Sequence, residues 1–143
     1  MADSQANRDG GPRLIEIPTV SFEDHGPLSF LEQHHHLPFE IRRVFYISEW
    51  RTGETRGVHA HKRQQQCFIP LKGAFSVSVD DGAAKTVFAL DRADRGLLVP
   101  AMNWTSIANQ GSGNILLVIA SDFFDEADYI RDYSQFLARL RAP

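Results

Sequence analysis

The sequence predicts an all-β domain, a sandwich or small barrel closed by one C-terminal α-helix. Two observations carry this. From residue 13 onward, short apolar segments with a period of two are separated by turn-forming residues. Only the tail, DEADYIRDYSQFLARL, changes to helical spacing, with Tyr129, Ile130, Tyr133, Phe136, Leu137 and Leu140 recurring on one face.

Each element follows from local chemistry. RLIEIPTV, from Arg13, alternates apolar and polar residues and reads as a strand, and DHGPL, from Asp24, reads as a turn. PFEIRRVFYI, from Pro38, reads as the next strand, followed by the polar loop SEWRTGETRG. VHAHKRQQQCFIPLKG returns to strand. Pro70 demotes its end to an edge or bulge, because proline lacks the N–H of a central ladder. AFSVSVDDGAAKTVFAL is a hairpin: Phe75, Val77 and Val79 alternate with small polar residues, and Asp81-Gly82 forms the turn. GLLVP and WTSIAN are two further strands. NILLVIAS, after a GSG break, is continuously apolar, which suits a strand buried on both faces. In the tail, Asp125 is the expected helix N-cap, and Arg139 and Arg141 suit the negative end of the helix dipole.

The 143 residues are sized for one domain, expected at 13–143 behind a polar, disordered lead at 1–12. A net charge of −3 provides no basic field for nucleic acid. No apolar run reaches the length of a membrane span, and MADSQANRDGGPR lacks the apolar segment of a signal peptide. The single cysteine, Cys67, has no internal disulfide partner. The expectation is a cytoplasmic protein with neither nucleic acid nor membrane as partner. HHH at 34–36 reads as a solvated loop.

The chemistry concentrates in RGVHAHKRQQQCFIPLKG. On a strand, residues i and i+2 share a face, so His59 and His61 project together. The spacing runs Gly53, five residues, His59, one residue, His61, four residues, Gln66, six residues, Gly73. It resembles the first cupin motif, with glutamine in place of glutamate, and implies a double-sheet β-barrel (jelly roll) with both imidazoles inside. The segment RGLLVPAMNWTSIAN, where a second motif would add a histidine, has none. Two imidazoles and a neutral amide fall short of the three ligands that a transition metal needs, so no metal is expected. Without metal, the pair suits proton transfer near neutral pH. Burial and proximity keep both rings from being charged at once, leaving one as base and one as hydrogen-bond donor.

DHGPL, PFEIRRVFYI, RGVHAHK, Gln66, DDG from Asp80, PAMNW from Pro100 and ASDFFDEADYIRDYSQF from Ala120 occur in an order and spacing that resemble the cupin-type sugar nucleotide 3,4-ketoisomerases. The resemblance covers roughly residues 13–137. It implies an isomerase, metal-independent and without cofactor, that turns dTDP-4-keto-6-deoxyglucose into a 3-keto sugar for deoxyamino-sugar and surface polysaccharide biosynthesis. It also implies a homodimer with exchanged N-terminal strands. His59 and His61 carry over as the catalytic pair. Arginine forks suit phosphate oxygens, so Arg43 and Arg56, with Lys62 as a point charge, are candidates for the nucleotide diphosphate, and Arg131, in the matched tail, is a further substrate-binding candidate. Gln66, Trp104 and Tyr46 are candidates for the sugar or base. The chain departs from the family at His25, where arginine is usual, and at Phe45, where a first of two tyrosines is usual. An epimerase or isomerase on another sugar nucleotide, and a non-catalytic sugar-nucleotide-binding cupin, are the alternatives.

Overall fold

The computed structural model describes residues 10–142, so residues 1–9 of the expected lead lie outside the described residues. The strands are β1 (Arg13–Glu16), β2 (Thr19–Phe22), β3 (His25–Ser29), β4 (Arg43–Ile47), β5 (Thr55–His61), β6 (Gln66–Lys72), β7 (Phe75–Asp80), β8 (Lys85–Leu90), β9 (Arg95–Val99), β10 (Trp104–Asn109), β11 (Ile115–Ala120) and β12 (Tyr129–Ile130). A 3-10 turn at Glu126–Asp128 precedes β12, and one helix, α1 (Tyr133–Arg141), follows it.

Two antiparallel five-stranded sheets result, in the orders β1-β9-β6-β11-β4 and β12-β5-β10-β7-β8, with β2-β3 as a separate hairpin. The double-sheet, all-β architecture with a C-terminal helix is the fold expected from the sequence. Alternation along β7 buries Phe75, Val77 and Val79 between the sheets with Phe68, Leu97, Leu116 and Val118. The continuous apolar runs are explained by a second layer. Leu116 and Val118 of β11 face the inter-sheet core, while Ile119 faces a second cluster with Cys67, Ile69, Leu37 and Phe39. The first sheet is therefore covered on both faces, and its central strands need no polar side.

Several boundaries move. Pro18 divides RLIEIPTV into β1 and β2, and most of DHGPL is strand β3 rather than turn. PFEIRRVFYI becomes strand only from Arg43. The hairpin β7–β8 forms, but its loop is Asp81–Ala84. Asp81 accepts from the amides of Ala83 and Ala84, and Gly82 takes φ +95°. Pro70 lies where β9 no longer pairs with β6, next to a register shift against β11, so the missing N–H leaves no gap in a ladder.

The tail differs most. Asp125 caps only the 3-10 turn, Tyr129 and Ile130 pair with His61 and Ala60 of β5, and the helix begins at Tyr133 with Asp132 as N-cap. The side chain of Phe136 is buried with Ala60, Ile130 and Trp104 on the outer face of the second sheet.

Candidate active site

The two sheets enclose a cleft of about 140 Å³. Its walls are apolar, from Phe68, Ile107 and Val118, and its polar groups are few: His59, Gln66, Thr105, Tyr129 and Arg56. Such a lining, with convergent polar groups on an apolar ground, is the usual form of a small-molecule site.

A bulge in β5 sets which side chains enter. Thr105 of β10 pairs with His59, but Ile107 pairs with Arg56, so β5 carries one extra residue over this interval. Strict alternation from His59 would point Gly57 inward and Arg56 outward. The extra residue turns Arg56 back to the cleft, beside Gly57. Gly57 adopts φ +66°, and a Cβ there would meet Ile107 Cδ1 at 3.3 Å. Thr105 Oγ1 donates to the Gly57 carbonyl at 2.8 Å, which satisfies an acceptor freed by the bulge.

The imidazoles of His59 and His61 stand edge to face, with ring centroids 4.9 Å apart at 87°. Tyr129 packs on both, at 4.9 Å from His59 and 4.4 Å from His61. The two histidines are held differently. His61 is 6% exposed, its Nδ1 lies 3.1 Å from Asp128 Oδ2, and its Nε2 lies 3.5 Å from Gln64 Nε2. His59 lines the cleft, and no hydrogen bond among the described residues ties its ring. Burial, then the neighbouring His61 and Arg131 charges, lower the His59 pKa to about 4 against a weaker opposing pull from Glu126. Burial also lowers His61, in spite of its hydrogen bond and charge interaction with Asp128. Burial raises Asp128, but the amides of Arg63 and Gln64 together with His61 outweigh it, and the carboxyl stays below its ordinary value.

The remaining candidates divide. Gln66 is buried on the cleft wall, and Arg56 lines it with its guanidinium 5.8 Å from the Trp50 ring centroid. Arg43 lies at the mouth with Phe45 and Tyr129, its guanidinium 4.8 Å from the Phe45 ring and 5.6 Å from that of Phe124. Its Nε is buried with no partner among the described residues. Arg131 stacks on Tyr129 at 4.4 Å but is forked to Glu126 at 2.8 and 3.0 Å. Lys62 is not among the residues lining the cleft: it lies just past the end of β5, where its amide donates to the Asp128 carbonyl. Tyr46 is 71% exposed on the outer face of β4, whereas Phe45 faces inward, as alternation requires. Trp104 packs on Tyr133 and Phe136 behind the second sheet, since Thr105 and Ile107 take the inward positions of β10. The departure at His25 falls on the exposed β2–β3 hairpin.

Asp128, Gln64, Thr105 and Tyr129 are site residues that reasoning from the sequence did not single out. The signal for Asp128 and Tyr129 was the matched tail, masked by its helical period. Among the described residues, no group of three or more His, Cys, Asp or Glu is placed to hold a metal. No helix among them is long and apolar enough to cross a membrane.

Fold and cleft together define a cupin-like protein with a paired-histidine interior. Residues 10–141 match the family described as FdtA: WxcM-like, C-terminal, and the chain belongs to this family. It is 38% identical over 114 residues, covering 80% of this chain and 82% of the relative, to the TDP-4-oxo-6-deoxy-alpha-D-glucose-3,4-oxoisomerase of Aneurinibacillus thermoaerophilus. A 3,4-ketoisomerase from Helicobacter canadensis shares the fold with a TM-score of 0.88 and 33% identity, covering 93% of this chain and 99% of that one. A His-to-Asn mutant of the 3,4-ketoisomerase QdtA from Thermoanaerobacterium thermosaccharolyticum, solved with TDP-4-keto-6-deoxyglucose, has a TM-score of 0.87 at 29% identity, covering 92% and 94%. The sugar nucleotide 3,4-ketoisomerase class expected from the sequence is the class of these relatives.

Proposed function

We propose that this chain is a TDP-sugar 3,4-ketoisomerase in which His59 transfers the proton. The observation that carries the assignment is the difference between the two imidazoles. His59 faces the cleft with ring nitrogens that make no hydrogen bond among the described residues, while His61 is tied at both. A 4-keto group acidifies the neighbouring C3–H. A neutral His59 ring nitrogen takes that proton, and the C–H electron pair becomes the enediolate spanning C3 and C4. The imidazolium returns its proton to C4, and the hydroxyl proton moves from O3 to O4. The ketone then stands at C3, with atoms and charge balanced and no cofactor consumed.

Charge develops on the two sugar oxygens during this exchange. The Gln66 amide and the Tyr129 hydroxyl are donors carried by cleft-lining residues. Arg56 and Arg43 come from opposite sheets and make no ion pair among the described residues, so their forks suit the diphosphate. A 3-keto product is the form that a sugar aminotransferase consumes, which fits deoxyamino-sugar synthesis. A homodimer with exchanged N-terminal strands belongs to the same proposal. Its support is the apolar surface left open on the β2–β3 hairpin, at Val20, Phe22 and Leu28, and on β4 at Val44 and Tyr46.

Incubation with TDP-4-keto-6-deoxyglucose in deuterated water, followed by NMR, tests the reaction. Wild-type protein is expected to place solvent deuterium at C3 or C4, and His59→Asn to abolish it. Tight nucleotide binding without exchange or turnover would overturn the isomerase reading and leave a sugar-nucleotide-binding protein.

A further inference from the structure

We infer that Asp128 is a positioning residue for the proton transfer: it holds His61 as the Nδ1–H tautomer and, with Gln64, takes up both nitrogens of that ring. The transferable proton then belongs to His59 alone. The inference rests on the reading of His59 as the base.

Asp128 is 3% exposed, and its carboxylate is fully committed. Oδ1 accepts the Arg63 amide at 2.8 Å, and Oδ2 accepts the Gln64 amide at 3.2 Å. A group held open by two N–H donors is an ionised acceptor, so the hydrogen of the 3.1 Å contact to His61 must sit on Nδ1. The Nε2 lone pair is left on the far side of the ring. There the side-chain amide of Gln64, itself buried, approaches to 3.5 Å as a donor. The assembly is anchored through the main chain as well, because the Lys62 amide donates to the Asp128 carbonyl at 2.9 Å. His61 therefore serves as a fixed wall. Its ring stands at 87° to His59 and at 61° to Tyr129, with centroids 4.9 and 4.4 Å away, which restricts the orientation of the imidazole that has no hydrogen bond among the described residues.

Histidine-specific nitrogen labelling of the full chain decides the point. Two-bond proton–nitrogen correlation at neutral pH is expected to show His61 as the neutral Nδ1–H tautomer. Asp128→Asn presents an amide nitrogen to one of three donors, and is expected to flip His61 to the Nε2–H form. kcat should then fall by about 10-fold or more with KM nearly unchanged, as for a group that orients rather than binds. Wild-type His61 found as the Nε2–H tautomer, or doubly protonated, overturns the inference without need of a folded variant. So does an Asp128→Asn protein with lowered Tm and wild-type kcat, which would make Asp128 a tie for the β5–β6 loop only. Deuterium exchange with the wrong tautomer sinks this inference and spares the isomerase reading. No exchange in wild-type protein with the expected tautomer sinks that reading, and with it the purpose assigned to Asp128.

Discussion

Tyr129 pairs with His61 across the β5–β12 ladder, and its ring lies 4.4 Å from the His61 centroid and 4.9 Å from that of His59. One short edge strand thus closes the site that a long inner strand presents. The tyrosine contributes both a packing face and a hydroxyl. Tyr129→Ala should lower kcat/KM by about 100-fold, since loosening an oriented group is enough to cost that much. Tyr129→Phe keeps the ring, so its loss measures the hydroxyl alone, with about 10-fold expected if the phenol donates to the enediolate. Steady-state kinetics on both variants separates the two contributions.

The β5 bulge sets Arg56 and the backbone beneath His59. Gly57→Ala places a Cβ at φ +66° and 3.3 Å from Ile107 Cδ1. A left-handed non-glycine residue costs about 1–2 kcal/mol, so the urea midpoint should fall accordingly. A regularised strand would also turn Arg56 away from the cleft, and KM should rise in the same variant. An unchanged midpoint and KM would show that the bulge tolerates a side chain.

The cations at the mouth should rank by what already engages them. Arg43 and Arg56 make no ion pair among the described residues, whereas Arg131 is exposed and forked to Glu126. Losing a charge-assisted hydrogen bond costs about 1.5–3 kcal/mol, so Arg43→Ala and Arg56→Ala should each raise KM by roughly 10- to 100-fold. Arg131→Ala should change KM by less than about 3-fold, as exposed pairs contribute little. Titration with TDP checks the ranking directly.

The depressed His59 pKa gives a pH dependence of definite sign. Folded His59 titrates at about 4 and the unfolded residue near 6.5, so the unfolded chain binds more protons between those values. Its contribution to stability is complete above pH 6.5 and is lost as pH falls toward 4. The urea midpoint of wild-type protein should drop over that window, and less steeply in His59→Gln. The acid limb of kcat/KM should likewise lie well below pH 6.5, because the free base persists there. An acid limb centred at 6.5 would mean that the cleft leaves His59 solvated.

Trp104 offers a control for stability against site effects. It packs on Phe136 and Tyr133, behind the sheet that carries the histidines. Trp104→Ala should cost about 3 kcal/mol or more by loss of packing under α1. The folded fraction should keep its KM, which a nucleotide titration of the refolded protein would show.

Much of the architecture was legible in the chain, because it depends on local periodicity. Alternation in β7 and the hairpin to β8, the unbroken apolar run of β11, and the shared face of His59 and His61 all follow from a repeat of two. Glycine spacing around the histidines added the barrel. Residue types could not say which side of β4 or β10 faces in. Phe45 and Tyr46 are neighbours, as are Trp104 and Thr105, and in each pair only one can line the cleft. Register against a neighbouring strand decides, and along β6 and β11 of the first sheet both faces are apolar. The bulge that returns Arg56 to the cleft is likewise invisible in composition.

The tail shows the division most clearly. Its apolar spacing is helical through Tyr129 and Ile130, yet those two residues extend along β5, where they gain ladder hydrogen bonds that a free helix end would not. By itself the sequence placed the two imidazoles on one face of a strand, and their rings stand 4.9 Å apart. Tertiary structure decided that Asp128, 67 residues from His61, would make them unequal. The reason is physical: a buried ring is oriented by whichever acceptor the fold brings within 3.1 Å, and that distance is set between a strand end and a 3-10 turn remote in the chain.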